Sequence, residues 1–403
     1  MKSRKTILLA IAIASFVVLG MSGGLLNIAW TYMQQTFGVD VSLVGVLLLF
    51  GTIGALIASF VSGTLIARLG LGWATLIGVL LMIAGLLGLA TSPVWFMLLL
   101  VFLIFGLGRG TLDAGMNNFV SENYGSSAMN GLHASWGLGL TLAPGYMAFI
   151  IVRSDLSWRW GYAGLAVLGG VVFVLVLWQL RWWDNLADGD SPTTAQSSAP
   201  VARASAMESI RQPAVIWSMV LVFVYGGVEI GTGQLMNTLL VESRGIPQET
   251  AASWIGFYWG SFTVGRLLMS VVLMRVSDRT VLAASVVLAV VGGGGLLFRE
   301  SGVLNLGGLV LLGLSLAPFF PILISQAPRR VGRAYAANAI GFQVGFGGLG
   351  GAIIPGVIGY LTSVFGLEAI AFGLFVNTLL LLVLYRWVAA AYSVKPLVME
   401  PSA

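Results

Sequence analysis

The sequence contains no cysteine and a single histidine, and only 9% of its 403 residues are charged. Without cysteine, the chain has no disulfide, no thiolate metal site and no thiol nucleophile. One histidine supplies too few imidazole ligands for a histidine-based metal centre. We therefore expect no metal, no cofactor and no enzymatic activity. The charged fraction also lies far below the roughly 25% that is typical of soluble domains.

Hydrophobic residues, in contrast, make up 58% of the chain. A soluble core cannot bury so much apolar surface, so lipid must surround much of the protein. The first apolar run is longer than a signal peptide, and we interpret it as a membrane helix. Apolar runs of about 18 to 30 residues predict about twelve spanning helices, at 7–33, 42–67, 73–91, 94–120, 129–152, 158–180, 213–240, 251–274, 280–298, 303–326, 334–363 and 367–391.

One long polar stretch divides these spans into two sets of six. The segment at 181–213 is rich in Ser, Ala, Pro and Asp, which is typical of a flexible linker. The sequence therefore predicts a six-helix bundle at 1–180, a linker at 181–213 and a second bundle at 214–403. Short motifs recur at equivalent positions, such as "HASWGLGLTLAP" and "QVGFGGLGGAIIP". Two similar halves joined by a linker favour a transporter with its site between them.

The basic residues predict the orientation of the chain in the membrane. About 14 of the 20 Lys and Arg residues fall on the side of the termini and the linker, which the positive-inside rule makes cytoplasmic. We expect a monomeric, multi-pass protein of the inner (plasma) membrane. Its net charge of +5 reflects this topology, and we expect no nucleic-acid partner.

The segment "GTLIARLG", from Gly63 to Gly70, resembles the loop motif of the major facilitator superfamily, although Ala67 replaces the usual acidic residue. The resemblance covers the whole chain. It implies an all-α membrane protein whose twelve transmembrane helices form two pseudo-symmetric six-helix bundles, the major facilitator fold.

Two further segments resemble fucose-permease-type sugar–proton symporters. They are "LLNIAWTYMQQTF" in the first helix and "GLG…LDAGMNNF" in the fourth. This resemblance implies a secondary transporter that imports a small polar solute, expected to be a monosaccharide, together with a proton. It also implies that Asp113 takes part in proton coupling. Asn27 stands where the first helix of the symporters has another acid, and this departure also allows sodium-coupled or uncoupled transport.

Four charged residues lie inside predicted spans, where charge is costly and usually functional. Arg109 and Asp113 are spaced i and i+4 on the fourth span, so they share one face of the helix. Glu229 lies on the seventh span and Arg266 on the eighth, about 10 Å apart in depth. We expect all four to take part in ion coupling, or at least to neutralise one another. The alternative is that each pair only holds helices together.

Amide and aromatic side chains on helix faces are candidates for binding a hydroxyl-rich solute. In the first span, Asn27, Trp30 and Gln34 share a face. The full set of predicted substrate-binding residues is Asn27, Trp30, Gln34, Asn117, His133, Trp136, Asn237, Tyr258 and Gln343. The competing interpretation for each residue is helix packing or an interfacial hydrogen bond.

Two other functions are compatible with parts of the sequence. An exporter of drugs or metabolites is one, although such superfamily members usually have Gly-Pro in the fifth helix. This chain has Ala143 before Pro144. A membrane enzyme is the other, but the sequence lacks a histidine cluster and a cysteine nucleophile. The sequence therefore favours an importer.

Overall fold

The computed structural model describes residues 2–40, 43–185 and 204–391, and every regular element among them is helical. Twelve of these helices are long and apolar enough to span a membrane. They are α1 (Lys2–Gly24), α2 (Val44–Leu69), α3 (Leu71–Thr91), α4 (Trp95–Asn123), α5 (Ser126–Ala148), α6 (Trp158–Trp178), α7 (Pro213–Thr238), α8 (Gln248–Val272), α9 (Asp278–Gly295), α10 (Gly302–Leu316 and Phe319–Val331), α11 (Arg333–Phe365) and α12 (Ala369–Ala391). The predicted all-α architecture with twelve spans is confirmed.

Two helices are less regular than the sequence predicts. The first span was predicted to run unbroken over 7–33, but α1 ends at Gly24 and a separate helix, Leu26–Phe37, follows a turn. The glycines before this turn let α1 approach α5 closely, because a side chain at Gly24 would collide with Ala143. The tenth span is broken at Ala317–Pro318, where proline cannot donate a backbone hydrogen bond.

The packing of the first six helices is repeated by the second six. Helix α1 packs against α5 as α7 packs against α11, α2 packs against α4 as α8 packs against α10, and α3 packs against α6 as α9 packs against α12. Each contact therefore recurs six helices later. This repetition confirms the prediction of two pseudo-symmetric six-helix bundles.

Glycines allow the helices within each bundle to come unusually close. A side chain at Gly106 of α4 would collide with the carbonyl oxygen of Gly51 on α2, and one at Gly350 of α11 would collide with that of Phe223 on α7. Small residues are favoured at such crossings because helix association in lipid depends on close van der Waals contact. The 54 glycines of the chain therefore serve packing as well as turns.

The two bundles meet along α2 with α11 and along α5 with α8. We call the membrane face where α1 begins and α12 ends the terminal side, and the other face the opposite side. On the terminal side, the Ser126 hydroxyl donates to Asp278 Oδ2 (2.7 Å) and lies 2.7 Å from Ser325 Oγ, while Ser127 donates to the carbonyl of Ser270 (2.5 Å). These contacts between α5 and the second bundle hold the two halves together on the terminal side.

The predicted linker is described only at its ends, because residues 186–203 lie outside the described part of the chain. Near its end, a short helix, Ala206–Ile210, contacts both α2 and α11. The Asn338 amide on α11 donates to the carbonyl of Ala204 (2.8 Å) and to Ser209 Oγ (3.0 Å). The domain boundaries at 181 and 213 stay a prediction.

A charged cluster ties together the connections of the second bundle on the opposite side. Arg244 follows α7, and its guanidinium donates to Glu368 between α11 and α12 (2.7 Å), to the carbonyl of Leu296 (2.8 Å) and to Asn305. The Ser243 hydroxyl donates to the same carboxylate at 2.8 Å. Only 2% of the Arg244 side chain is exposed, against 36% for Glu368. The buried guanidinium therefore depends on this partly exposed carboxylate.

We expect Glu368→Gln to lower the free energy of unfolding by about 2 kcal/mol, less than a fully buried pair would lose, because Glu368 is partly exposed. The hydrogen bonds from Arg244 hold the pKa of the Glu368 carboxyl below its usual value near 4.5. A carboxyl group whose pKa is lower in the folded than in the unfolded protein stabilises the fold at pH values above its unfolded-state pKa. This stabilisation is lost as the pH falls through the folded-state pKa. The loss of melting temperature caused by Glu368→Gln should therefore be constant above about pH 5 and shrink towards pH 3.

The melting temperature can be followed by thermal unfolding in detergent, with Glu300→Gln as the matched control. Glu300 is exposed and has no ion pair within the described residues. A control that loses as much stability as Glu368→Gln, or a difference that grows as the pH falls, would contradict the role assigned to the carboxylate.

Candidate functional site

A cavity of about 380 Å³ lies between the two bundles. Four helices of the first bundle (α1, α2, α4 and α5) line it together with their counterparts in the second (α7, α8, α10 and α11). Its volume is within the range of small-molecule binding sites. Along α2 the cavity is lined from Leu48 to Ser59, whereas the contact with α11 continues to Gly63, nearer the terminal side. The cavity therefore lies between the contact zone of the terminal side and the opposite face.

Arg109 and Asp113 both line this cavity, as expected for charges that cannot face lipid. Their side chains do not form a contact ion pair, because none of the described ion pairs within 4.0 Å joins them. The Asp113 carboxylate instead accepts a hydrogen bond from the Asn117 amide (2.9 Å). The Arg109 guanidinium lies 5.6 Å from the centre of the Phe105 ring, and its Nε has no hydrogen-bond partner among the described residues.

A chain of polar contacts continues from Asp113 towards the second bundle. Because the Asn117 amide nitrogen donates to Asp113, its oxygen is left to accept from His133 Nε2 on α5, 3.0 Å away. The carbonyl of His133 in turn accepts from the Arg266 guanidinium on α8 at 3.5 Å. The imidazole is held edge-on between the rings of Phe16 and Phe320. This chain links α4, α5 and α8 and therefore crosses from one bundle to the other.

Glu229 and Arg266, which the sequence places at different depths, come together in the structure. A guanidinium nitrogen of Arg266 lies 4.0 Å from Glu229 Oε1, with 5% and 16% of the two side chains exposed. The guanidinium also lies 4.3 Å from the centre of the Phe262 ring. Beneath this pair, the Tyr258 hydroxyl donates to the Glu229 carbonyl (2.8 Å). Arginine is long enough to span the difference in depth that the helix positions alone imply.

The predicted substrate-binding residues fall into several groups. His133 and Trp136 line the cavity, whereas Asn117, Tyr258 and Gln343 are buried behind its surface. The Gln343 amide is 1% exposed, and its two polar atoms have no hydrogen-bond partner among the described residues.

The other members of that set lie elsewhere. Trp30, Gln34 and Asn237 are not among the residues that line the cavity, and Trp30 packs against Trp95 with ring centres 5.7 Å apart. Asn27 belongs to the helix Leu26–Phe37, but its side chain lies outside the described part of the structure. The substrate-binding role of the whole set stays a prediction.

Five aromatic cavity residues were missed by sequence reasoning: Phe16, Phe102, Phe105, Tyr225 and Phe320. Two of them had a usable signal, because Phe105 precedes Arg109 and Tyr225 precedes Glu229 by one helical turn, on the same faces. Phe320 had none, since its position depends on the break in α10. Together with Trp136, these rings place aromatic side chains beside the charged groups, in a lining that otherwise consists mostly of glycine and aliphatic residues.

No group of three or more His, Asp or Glu side chains with the arrangement of a metal site occurs among the described residues. The chemistry that the cavity offers is therefore hydrogen bonding, charge pairing and proton uptake by carboxylates, beside aromatic faces. This combination suits binding and release of a polar solute rather than catalysis.

Comparisons with known proteins agree with this architecture. The family model of the Major Facilitator Superfamily matches residues 11–355. The chain is 26% identical over 393 residues to bypass of stop codon protein 6 of Saccharomyces cerevisiae, with 88% of this chain and 77% of that protein covered. It is 22% identical over 271 residues to the glucose/mannose transporter GlcP of Bacillus subtilis, with 66% of each covered.

Among solved structures, the chain is similar to the fucose:proton symporter FucP of E. coli. The TM-score is 0.72 at 18% identity, over 95% of this chain and 98% of that one. A crystal structure of FucP in the outward conformation gives a TM-score of 0.74 at 17% identity, over 94% and 98%. At these identities the likeness concerns the fold alone.

Proposed function

The chain belongs to the major facilitator superfamily and is a multi-pass membrane transporter rather than an enzyme, and we propose that it imports a monosaccharide together with a proton. The observation that carries this proposal is the central cavity, where a carboxylate in a hydrogen-bonded network lies beside aromatic side chains. The network is Asp113, Asn117 and His133, and the aromatic side chains include Trp136.

The lining of the cavity supports a sugar as substrate. Aromatic rings present flat faces to the C–H groups of a sugar ring, and Trp136 and Phe320, both half-buried, supply such rings in opposite bundles. Nearby carboxylate and guanidinium groups can bind its hydroxyl groups. The relative GlcP is named a glucose/mannose transporter, which agrees with this substrate class.

The position of Asp113 supports proton coupling. Its carboxylate lines the cavity, where a proton can reach it, and its contact to Asn117 connects it through His133 to the bundle interface. Binding of a proton to Asp113 changes the charge of this network. The network lies at the interface between the bundles, whose contacts must break when the cavity opens to the other side. Binding of a proton and a substrate would thereby bias the two states of an alternating-access cycle.

The proposed orientation supports import. If the terminal side is cytoplasmic, as the basic residues indicate, the described state is closed towards the cytoplasm by the contacts around Ser126 and Ser127. Its cavity then receives solute from outside. We place the protein in the inner membrane as a monomer that exchanges substrate and protons across the bilayer.

Sodium-coupled or uncoupled transport is the second candidate, favoured by Asn27 at a position where an amide cannot take up a proton. Export of drugs or metabolites is the third candidate, and it would use the same cavity.

The deciding experiment is uptake by proteoliposomes that contain the full chain. Labelled monosaccharides are supplied with a pH gradient, a sodium gradient or neither, and protein-free liposomes serve as the control. We expect accumulation only with the proton gradient, and with the membrane potential clamped at zero a gradient of one pH unit supports at most about tenfold accumulation in one-to-one symport. Accumulation driven only by sodium, or only equilibration, would contradict proton coupling. No uptake of any monosaccharide would contradict the substrate class.

A further inference from the structure

Arg109 carries a cavity-facing guanidinium that the described residues leave without an acidic contact. Its Nε is buried and has no hydrogen-bond partner among the described residues, and the Phe105 ring lies beside it, with its centre 5.6 Å from the guanidinium carbon. Asp113, one helical turn away, attracts it electrostatically, but no ion pair within 4.0 Å joins the two among the described residues. A guanidinium that lines a cavity inside the membrane without an anion in contact favours binding of an anion beside it.

The other charged groups of the cavity already have polar contacts. The Asp113 carboxylate accepts from Asn117 at 2.9 Å. Arg266 lies 4.0 Å from Glu229 and donates to the His133 carbonyl at 3.5 Å. Within the described chain, Arg109 is therefore the charged cavity residue that still lacks a polar partner.

The surroundings of Arg109 leave space for a ligand. A Cβ atom at Gly23 would lie 3.5 Å from the terminal Nη2 of Arg109. This is an ordinary van der Waals distance, so glycine lets α1 pack against this side of the guanidinium, and the space for a ligand is the cavity that Arg109 lines. The Phe105 ring supports the guanidinium, and Trp136 lies in the same cavity to face a sugar ring. A guanidinium held in this way can bind a carboxylate through two parallel hydrogen bonds.

We propose that Arg109 binds a carboxylate of the substrate, so that the substrate is a sugar acid, such as a hexuronate, rather than a neutral hexose. This inference rests on the proposed function, because it assumes that the substrate is a sugar and that Asp113 binds a proton. With Glu229 facing Arg266, a proton on Asp113 leaves the positive charge of Arg109 unbalanced. A substrate carboxylate restores neutrality, so the proton and the anion would enter the cavity together.

The test compares sugars that differ only at C6, with the purified full chain. Titration calorimetry measures binding of glucuronate against glucose and of galacturonate against galactose. We expect the wild type to bind at least one uronate about tenfold more tightly than its hexose. Arg109→Gln should abolish this preference, so that each uronate and its hexose bind with affinities within about twofold of each other. Arg109→Lys keeps the charge without the planar fork and should retain part of the preference.

The matched control is Arg153→Gln, since Arg153 is exposed at the end of α5 and outside the cavity. It should bind both sugars as the wild type does. Equal affinity of the wild type for uronate and hexose would overturn the inference and leave the proposed function intact. A preference that survives in Arg109→Gln would also overturn it. If the wild type binds none of the four sugars, both the inference and the proposed function would be overturned.

Discussion

Asp113→Asn should abolish gradient-driven accumulation of substrate while leaving exchange across the membrane largely intact. Asparagine keeps an oxygen that can accept from Asn117, which donates to Asp113 Oδ1 at 2.9 Å. The cavity therefore keeps its shape, but the side chain can no longer bind or release a proton. In proteoliposomes with a gradient of one pH unit, the accumulation ratio should fall from as much as tenfold to about one. Counterflow of labelled against unlabelled substrate should continue at a rate near that of the wild type.

The matched control for this variant is Asp155→Asn, which neutralises an exposed acid in the connection between α5 and α6. It should accumulate substrate as the wild type does. If Asp113→Asn still accumulates substrate at the wild-type rate, then Asp113 has only a structural role. Glu229 would then be the next candidate for coupling, and Glu229→Gln should show the same loss of accumulation.

The architecture was predictable because lipid restricts what a chain can do. A spanning segment must be apolar and must satisfy its own backbone hydrogen bonds, so runs of apolar residues locate the helices directly. The same restriction placed Arg109 and Asp113 in an internal cavity, since neither side chain can remain in hydrocarbon. The positions of the helices and the burial of these charges can both be predicted from the residues of each helix alone, without knowing which helices lie beside it.

The detailed site depends on contacts between helices, which helical spacing does not reveal. The 3.6-residue period shows that Asn27, Trp30 and Gln34 share a face, but not which neighbour that face meets. In the structure Trp30 packs against Trp95, away from the cavity lining. The link from Asn117 to His133 requires the packing of α4 beside α5. The position of Phe320 depends on the break at Ala317–Pro318.

Where the two bundles meet, Gly341 of α11 lies against the backbone of α2, so substitution of this glycine should have a large effect on transport. A side chain at this position would collide with the carbonyl oxygen of Ser59 and with Ser62 Oγ in the other bundle. We expect Gly341→Val to force the bundles apart on the terminal side and to destabilise the described state by about 1–3 kcal/mol. Since 1.4 kcal/mol corresponds to a factor of ten in population, the population of the described state should fall by about 5- to 100-fold, and the transport rate should fall with it.

The absence of cysteine allows this shift to be measured with a single introduced thiol. Leu48 lines the cavity near the opposite side and is 51% exposed, so Leu48→Cys reports whether the cavity is open there. A membrane-impermeant maleimide added on the opposite side should label it quickly in the wild-type background and slowly with Gly341→Val. The matched control is Gly356→Val on the same helix, where an added Cβ has no neighbouring atom within 4 Å. Equal labelling and transport in the two glycine variants would show that the contact of α11 with α2 does not hold the described state closed.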